Sequence, residues 1–415
     1  MATDTAPAAP REAGLLNAAV VVAALGYFVD IYDLILFNIV RIPSLTALGV
    51  SGDALVSEGL AIINWQMAGM LIGGLAFGII GDKKGRLQIL FGSITLYSLA
   101  TIANGFVADL STYRVLRFVA GVGLAGELGA GVTLVAEILP TRLRGYGTML
   151  VATVGVSGAV VANVVAKLTD WRVSYFVGGA LGLGLLVLRI GVRESHLFDK
   201  VRGDVLIPRG DFFALFRTGD RFARYLAIIL VGVPIWFANA ILVALAPEFA
   251  RAMGVTGPVS AGDAVMLFYS GLVVGDLSSG LLSQWLRSRK KVVLAFVAAL
   301  AVAIALYLTL GRGASPALML GLIGLLGLAS GYWAIFVTVG AEQFGTNIRA
   351  TVATTVPNFV RGLVPVVTVA FQWARPSLGL TGAAAAVGGV TLVVAILAAL
   401  RLQESFGRNM DFVEE

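Results

Sequence analysis

Runs of about 20 apolar residues recur from one end of this 415-residue chain to the other, separated by short charged stretches. A helix of that length spans the roughly 30 Å of hydrocarbon in a bilayer. Inside lipid only helices and closed barrels satisfy their own backbone polar groups. Twelve runs, at roughly 15–40, 59–81, 87–107, 112–138, 145–167, 172–190, 223–247, 261–285, 292–311, 316–342, 350–373 and 379–401, predict an all-α membrane protein of twelve transmembrane helices. With 58% hydrophobic and 13% charged residues, a soluble domain is excluded.

Charge placement orients the chain. Of the 30 Lys and Arg, 21 fall at 1–14, 82–87, 139–145, 189–224, 287–291, 343–350 and 401–415, and seven in the opposite connections. By the positive-inside rule both termini face the cytosol, which agrees with an even number of crossings. The net charge of +6 is therefore topological and implies no nucleic-acid partner. The opening "MATDTAPAAPREA" reads as a disordered cytosolic tail rather than a secretory signal. There is no cysteine, and His196, the single histidine, lies in a charged connection. No metal site or cofactor is expected, and a membrane-embedded hydrolase or metalloenzyme lacks its side chains.

The hydrophilic stretch "RESHLFDKVRGDVLIPRGDFFALFRTGDRFAR" divides the runs six plus six. The expected organisation is a tail at 1–14, a six-helix domain at 15–190, a cytosolic linker with an amphipathic piece at 191–222, a second six-helix domain at 223–401, and a tail at 402–415. An internal repeat supports the division. "AEILPTRLRG" at 136–145 matches "AEQFGTNIRA" at 341–350 at an offset of 205, which also sets Gly126 over Gly331 and Thr133 over Thr338. "GIIGDKKGR" from 78 echoes "GLLSQWLRSRK" from 280. Parallel six-helix repeats are a transporter architecture. Gly69 with Gly73, and Gly74 with Gly78, make small-xxx-small steps on the second crossing, fit either for a static contact or for a surface that slides.

"GIIGDKKGR" resembles the loop motif of the major facilitator superfamily, G-x-x-x-D-[RK]-x-G-[RK]-[RK], between the second and third helices. Gly78, Asp82, Lys83, Gly85 and Arg86 occupy its positions, and Leu87 stands where a last basic residue is usual. "RFVAGVGLAGELGAGVTLVAEILPTRLRG" is similar to the fourth helix of the metabolite:proton symporters and their organic-ion relatives, through Arg117, Gly126, Glu127, Glu137 and Arg144, with Ala125 in place of a first glycine. The resemblance implies two pseudo-symmetric six-helix bundles that rock about a central site. It also implies a cytosolic gate of Gly78, Asp82, Lys83, Gly85, Arg86, Glu137 and Arg144, with Glu342 and Arg349 in the second half. Drug exporters of the family usually carry a proline motif on the fifth helix, absent from "LVATVGVSGAVVANVVAKL".

Charged side chains inside the runs need a reason, because each costs about 2.5 to 3.5 kcal/mol at mid-bilayer. Asp30 and Asp33 sit about 60° apart on the first helix, with Tyr27 near the same face. Two carboxylates so close disfavour a second charge, so one of them is expected to hold a proton. Glu127 lies near mid-membrane on the fourth helix. Arg117 offers two readings, a salt bridge with Asp33 inside the first half or a role in coupling. The eleventh run, "TVATTVPNFVRGLVPVVTVAF", carries Thr354, Asn358, Arg361, Pro365 and Thr368 at helical spacing. Arg361 stays cationic and presents a planar fork suited to a carboxylate. Asp276 on the eighth run is expected either to pair with Arg361 structurally or to be its displaceable counter-ion. Trp236, Asn239, Tyr269, Tyr332 and Trp333 could supply the walls and hydrogen bonds of a small-molecule pocket.

These residues are read as a monomeric carrier in a bacterial inner membrane that imports a small organic acid by proton symport. Arg361 and Asn358 bind the anion, and Asp30, Asp33 or Glu127 carries the proton. A proton-driven exporter of amphiphilic or cationic compounds is the alternative.

Overall fold

Helix boundaries follow from capping residues and breakers that can be read locally. The computed structural model describes residues 17–84, 86–126, 141–189, 212–345, 347–407 and 414. Six long helices come first: α1 (Ala18–Ala47), α2 (Ala54–Lys84), α3 (Arg86–Asn104), α4 (Leu110–Leu124), α5 (Thr141–Leu168) and α6 (Trp171–Arg189). The α1–α2 turn uses Gly49 and Gly52 at φ 84° and 59°, a backbone region where a Cβ is strained. Asp109 caps α4 by accepting from the Thr112 amide at 2.8 Å.

After a 3₁₀ turn (Phe212–Phe216) come α7 (Gly219–Phe237), which runs on into a π-helical turn (Ala238–Val243), and α8 (Ala246–Ala252). Next are α9 (Ala261–Trp285), α10 (Arg289–Leu310), α11 (Pro316–Ser330), α12 (Trp333–Glu342), α13 (Arg349–Gly362) and α14 (Val364–Arg401). Ser260, Ser288 and Ser315 cap α9, α10 and α11 through their hydroxyls. Eight described helical stretches are long and apolar enough to cross a membrane.

Two expected crossings are broken. The tenth stops at Ser330 and restarts at Trp333. The eleventh stops at Gly362 and restarts at Val364, because Pro365 has no N–H to offer the carbonyl of Arg361 four residues earlier. Pro357, on the same crossing, stays inside α13. Within α14, Gly379 at φ 68°, ψ 178° separates the eleventh crossing from the twelfth.

Helices α1 to α6 pack among themselves, chiefly α1 on α5, α2 on α4, and α3 on α4 and α6. Those from α7 onward do the same, with α9 on α11, and α7 on α13 and α14. Between the two sets, α13 meets α2 and α9 meets α5. In crossings these are eleven with two and eight with five, which a shift of six exchanges, as a repeat demands. The glycines of the second crossing serve both contacts. A Cβ at Gly69 or Gly73 would come within 2.1 Å or 2.2 Å of the carbonyls of Phe118 or Val122 on α4, so these two make a backbone contact inside one half. Gly74 instead faces Asn358 across the halves, where a Cβ would meet that side chain at 2.7 Å.

Candidate functional site

The break before Pro365 leaves Arg361 on the last turn of α13, 2% exposed. Its guanidinium carbon lies 5.2 Å from the Trp236 ring and 5.7 Å from the Trp333 ring, and the two indoles meet edge to face at 6.2 Å. Such cation–π contacts contribute about 0.5 to 2 kcal/mol each, more as water is excluded. Arg361 Nη1 donates to Asn358 Oδ1 at 3.4 Å, while Asn358 Nδ2 donates to the Thr354 carbonyl at 3.1 Å and to the Ala125 carbonyl on the other half at 3.3 Å. Asp30, Tyr27 and Tyr269 are close enough to act on the guanidinium electrostatically. Two buried donors of this cluster, Arg361 Nε and Trp236 Nε1, have no hydrogen-bond partner among the described residues. Buried donors are normally satisfied, so an oxygen-bearing ligand fits here.

Arg117 and Asp33 are both fully buried and form a salt bridge, Nη1 to Oδ1 at 3.2 Å. Arg117 Nη2 donates to the Asp33 carbonyl at 3.0 Å and Nε to Gln66 Oε1 at 3.3 Å, with the Tyr175 ring 5.7 Å from the guanidinium carbon. Gln66 in turn donates to the Leu34 carbonyl at 3.0 Å. The structure thus separates the two aspartates: Asp33 belongs to the Arg117 pair inside the first half, and Asp30 lies within electrostatic reach of Arg361.

Asp276 is not the hydrogen-bonded counter-ion of Arg361. Its Oδ1 accepts from the Ala334 amide at 3.0 Å, at the start of α12, where the helix break leaves backbone donors without an intrahelical acceptor. Tyr332, another residue of the expected pocket, turns its hydroxyl to the backbone. It is fully buried and donates its hydroxyl to the Val231 carbonyl at 2.9 Å. Asn239 donates to the Tyr269 hydroxyl at 3.0 Å and accepts from Asn38 at 3.5 Å.

Of the expected gate, Gly85 and Glu137 lie outside the described residues, as do the side chains of Asp82, Lys83, Arg86 and Arg144 and the surroundings of Gly78; Glu127, expected as a proton carrier, also lies outside them. In the second half Glu342 pairs with Arg289 at 3.5 Å and accepts from Ser405 at 2.6 Å. Arg349 Nε donates to the carbonyls of Ala341 and Phe344, both at 3.2 Å.

Helical breaks, a π-turn beside Trp236, and charged residues facing one another across two six-helix sets narrow the fold class to carriers built from repeats. Residues 23–369 match the family model described as Major Facilitator Superfamily. The chain belongs to this family. As a major facilitator it is a multi-pass membrane transporter and not an enzyme, and its fold is the family's twelve helices in two pseudo-symmetric bundles. It is similar to a probable 4-methylmuconolactone transporter of Cupriavidus pinatubonensis, 27% identical over 342 residues, 79% of this chain and 76% of that one. A putative metabolite transport protein of Haemophilus influenzae is 32% identical over 190 residues, 44% of this chain and 45% of that one, so the match spans less than half of that relative. Among solved structures, the proton:xylose symporter XylE superposes with a TM-score of 0.71 at 16% identity, over 95% of this chain and 97% of that one, a likeness of fold.

One group of contacts in this major facilitator had no motif to announce it. At the end of the bundle opposite the first residues of α1, Arg41 on α1 and Glu248 on α8 form a buried salt bridge between the halves, Nη2 to Oε1 at 2.6 Å and Oε2 at 2.7 Å. Arg41 also donates to the carbonyls of Leu55 at 3.0 Å and Ala244 at 3.1 Å. Thr368 donates to Asn64 at 2.7 Å, and Asn163 and Lys167 both reach Asp263. The signal available in the sequence was the arginine itself, lodged in the apolar run "LFNIVRIPSL".

Proposed function

We propose that this major facilitator imports a small organic anion together with protons across a bacterial inner membrane, with both termini in the cytosol. The observation that carries the reading is the Arg361 cluster: a buried, permanently charged guanidinium against two indoles, with open donors at Arg361 Nε and Trp236 Nε1. A carboxylate takes both donors while an apolar or ring portion lies against Trp236 and Trp333. Relatives named as carriers of 4-methylmuconolactone, niacin and benzoate support a small organic acid as the cargo.

Asp30 couples the cargo to the proton. Ionised, it shares the field of Arg361 and repels an incoming carboxylate; protonated, it does neither. Anion and proton then each raise the affinity for the other, which is what symport requires. Asp33 is engaged by Arg117 within the first half and takes no part in this coupling. Asp30 on the first crossing and Arg361 on the eleventh belong to opposite halves, so their separation changes as the halves rock, and loading is tied to alternating access.

Uptake into proteoliposomes under an imposed pH gradient, over a panel of organic acids, tests this reading. Arg361→Ala abolishes uptake of the transported acid. Asp30→Asn keeps exchange of that acid across the membrane and loses accumulation driven by the gradient. Normal uptake by Arg361→Ala removes the assignment of the binding site, and normal accumulation by Asp30→Asn places the proton elsewhere.

A further inference from the structure

The tenth crossing breaks beside the substrate site, and the break is built from three parts. Gly331 ends α11 against the backbone of the eighth crossing, where a Cβ on it would stand 2.2 Å from the Gly275 carbonyl carbon and 2.4 Å from the Asp276 amide nitrogen. Tyr332, the next residue, is locked by its hydroxyl on the Val231 carbonyl. Trp333 opens α12, and its indole flanks Arg361 and meets Trp236. Tyr332 supplies no side-chain cap to α12, so the exposed amides of its first turn need an acceptor from elsewhere. Asp276, one residue beyond Gly275, supplies it from the neighbouring helix through the bond to Ala334. A carboxylate is the preferred acceptor at a helix N-terminus, both for the hydrogen bond and for the helix dipole.

We propose that Asp276 is a positioning residue: by capping α12 from the eighth crossing it sets where Trp333 stands on Arg361, and thereby shapes the substrate site without touching the substrate. The functional consequence rests on the reading that Arg361 holds the anion. The positioning itself does not, and the two can fail separately. Asp276 reaches α12 across a glycine-to-glycine contact, so a shift of the eighth crossing against the tenth carries Trp333 with it. The same carboxylate that a search for charges would assign to coupling is a strut for an aromatic wall.

The full chain in lipid nanodiscs, labelled with ¹⁵N-indole tryptophan, gives one resonance for each of its six tryptophans, and Trp333→Phe assigns that of Trp333. Asp276→Ala is expected to displace the Trp333 resonance, and that of Trp236 with it, while Trp65, Trp171 and Trp373 stay in place. Asp276→Asn, which keeps an oxygen for the Ala334 amide, returns Trp333 at least halfway to its parent position. If Asp276→Ala does not fold, Asp276→Ser, with its shorter reach, is measured in its place. A Trp333 resonance unmoved by Asp276→Ala or Asp276→Ser overturns the proposal. So does displacement of all six indoles together, which would make Asp276 a residue of the general fold, or an Asp276→Asn spectrum displaced as far as that of the alanine variant. None of these outcomes depends on which acid is carried, whereas loss of uptake by Arg361→Ala does not depend on Asp276.

Discussion

Single residues carry large penalties in this protein because several charges are held away from water. Arg117 and Asp33 are both 0% exposed, so removing one charge leaves the other buried and uncompensated. Asp33→Asn is expected to cost about 3 to 5 kcal/mol of stability, as breaking a buried pair typically does. Thermal unfolding in detergent measures it, and Arg117→Met combined with Asp33→Leu should recover much of the loss, because an apolar replacement needs no partner. Sequence reasoning reached the Arg117 and Asp33 pair as one of two alternatives. It could not assign Asp276, since a carboxylate in an apolar run is compatible with a cation or with a helix end. Which of them lies nearer is a matter of three-dimensional placement.

At the scale of elements, the ends of helices decide what each crossing can do. Ser288 caps α10, and Glu404, just past the end of α14, accepts from the Ser288 hydroxyl and from the amides of Arg289 at 2.9 Å, Ser405 at 2.9 Å and Phe406 at 3.0 Å. Burial pushes the Glu404 carboxyl up, but these hydrogen bonds outweigh it and hold the group below its ordinary value. A carboxyl lowered by folding stabilises the protein above its unfolded pKa, and that contribution is lost as pH falls through the folded one. Glu404→Gln should therefore melt below the parent at neutral pH, with the gap closing in acid; a gap of constant size across the titration would contradict the linkage. The boundaries of these helices were largely legible, since Asp109, Ser260, Ser288 and Ser315 are capping residues in plain view. The break in the tenth crossing was not, because Gly331 is one of 51 glycines and only its contact with Gly275 distinguishes it.

For the whole molecule, the described contacts between the halves run from the middle of the bundle, at Asn358 and Ala125, to the end where Arg41 meets Glu248. A carrier that alternates has to break that buried pair to open there. Glu248→Gln keeps the shape and weakens the bond, so the population should move toward the state open at that end. The chain has no cysteine, which makes a clean background for Asn38→Cys at the contact with Asn239. Its labelling by a membrane-impermeant maleimide should speed up about fivefold when Glu248→Gln is added, equivalent to roughly 1 kcal/mol of population shift. An unchanged rate would mean that the latch does not limit opening.

Composition and periodicity determined the class by themselves. Helices are compulsory where about 20 apolar residues must bury their backbone in lipid, and the offset of 205 between two similar segments points to a repeat. The candidate cation was equally visible, because an arginine in an apolar run is expensive and seldom accidental. What only the tertiary structure decided was partnership. Asp30 and Asp33 are three residues apart in the chain, yet Asp33 closes a salt bridge with Arg117 inside its own half while Asp30 acts on Arg361 of the other half through its field, since packing alone assigns the neighbours of each position on a helix.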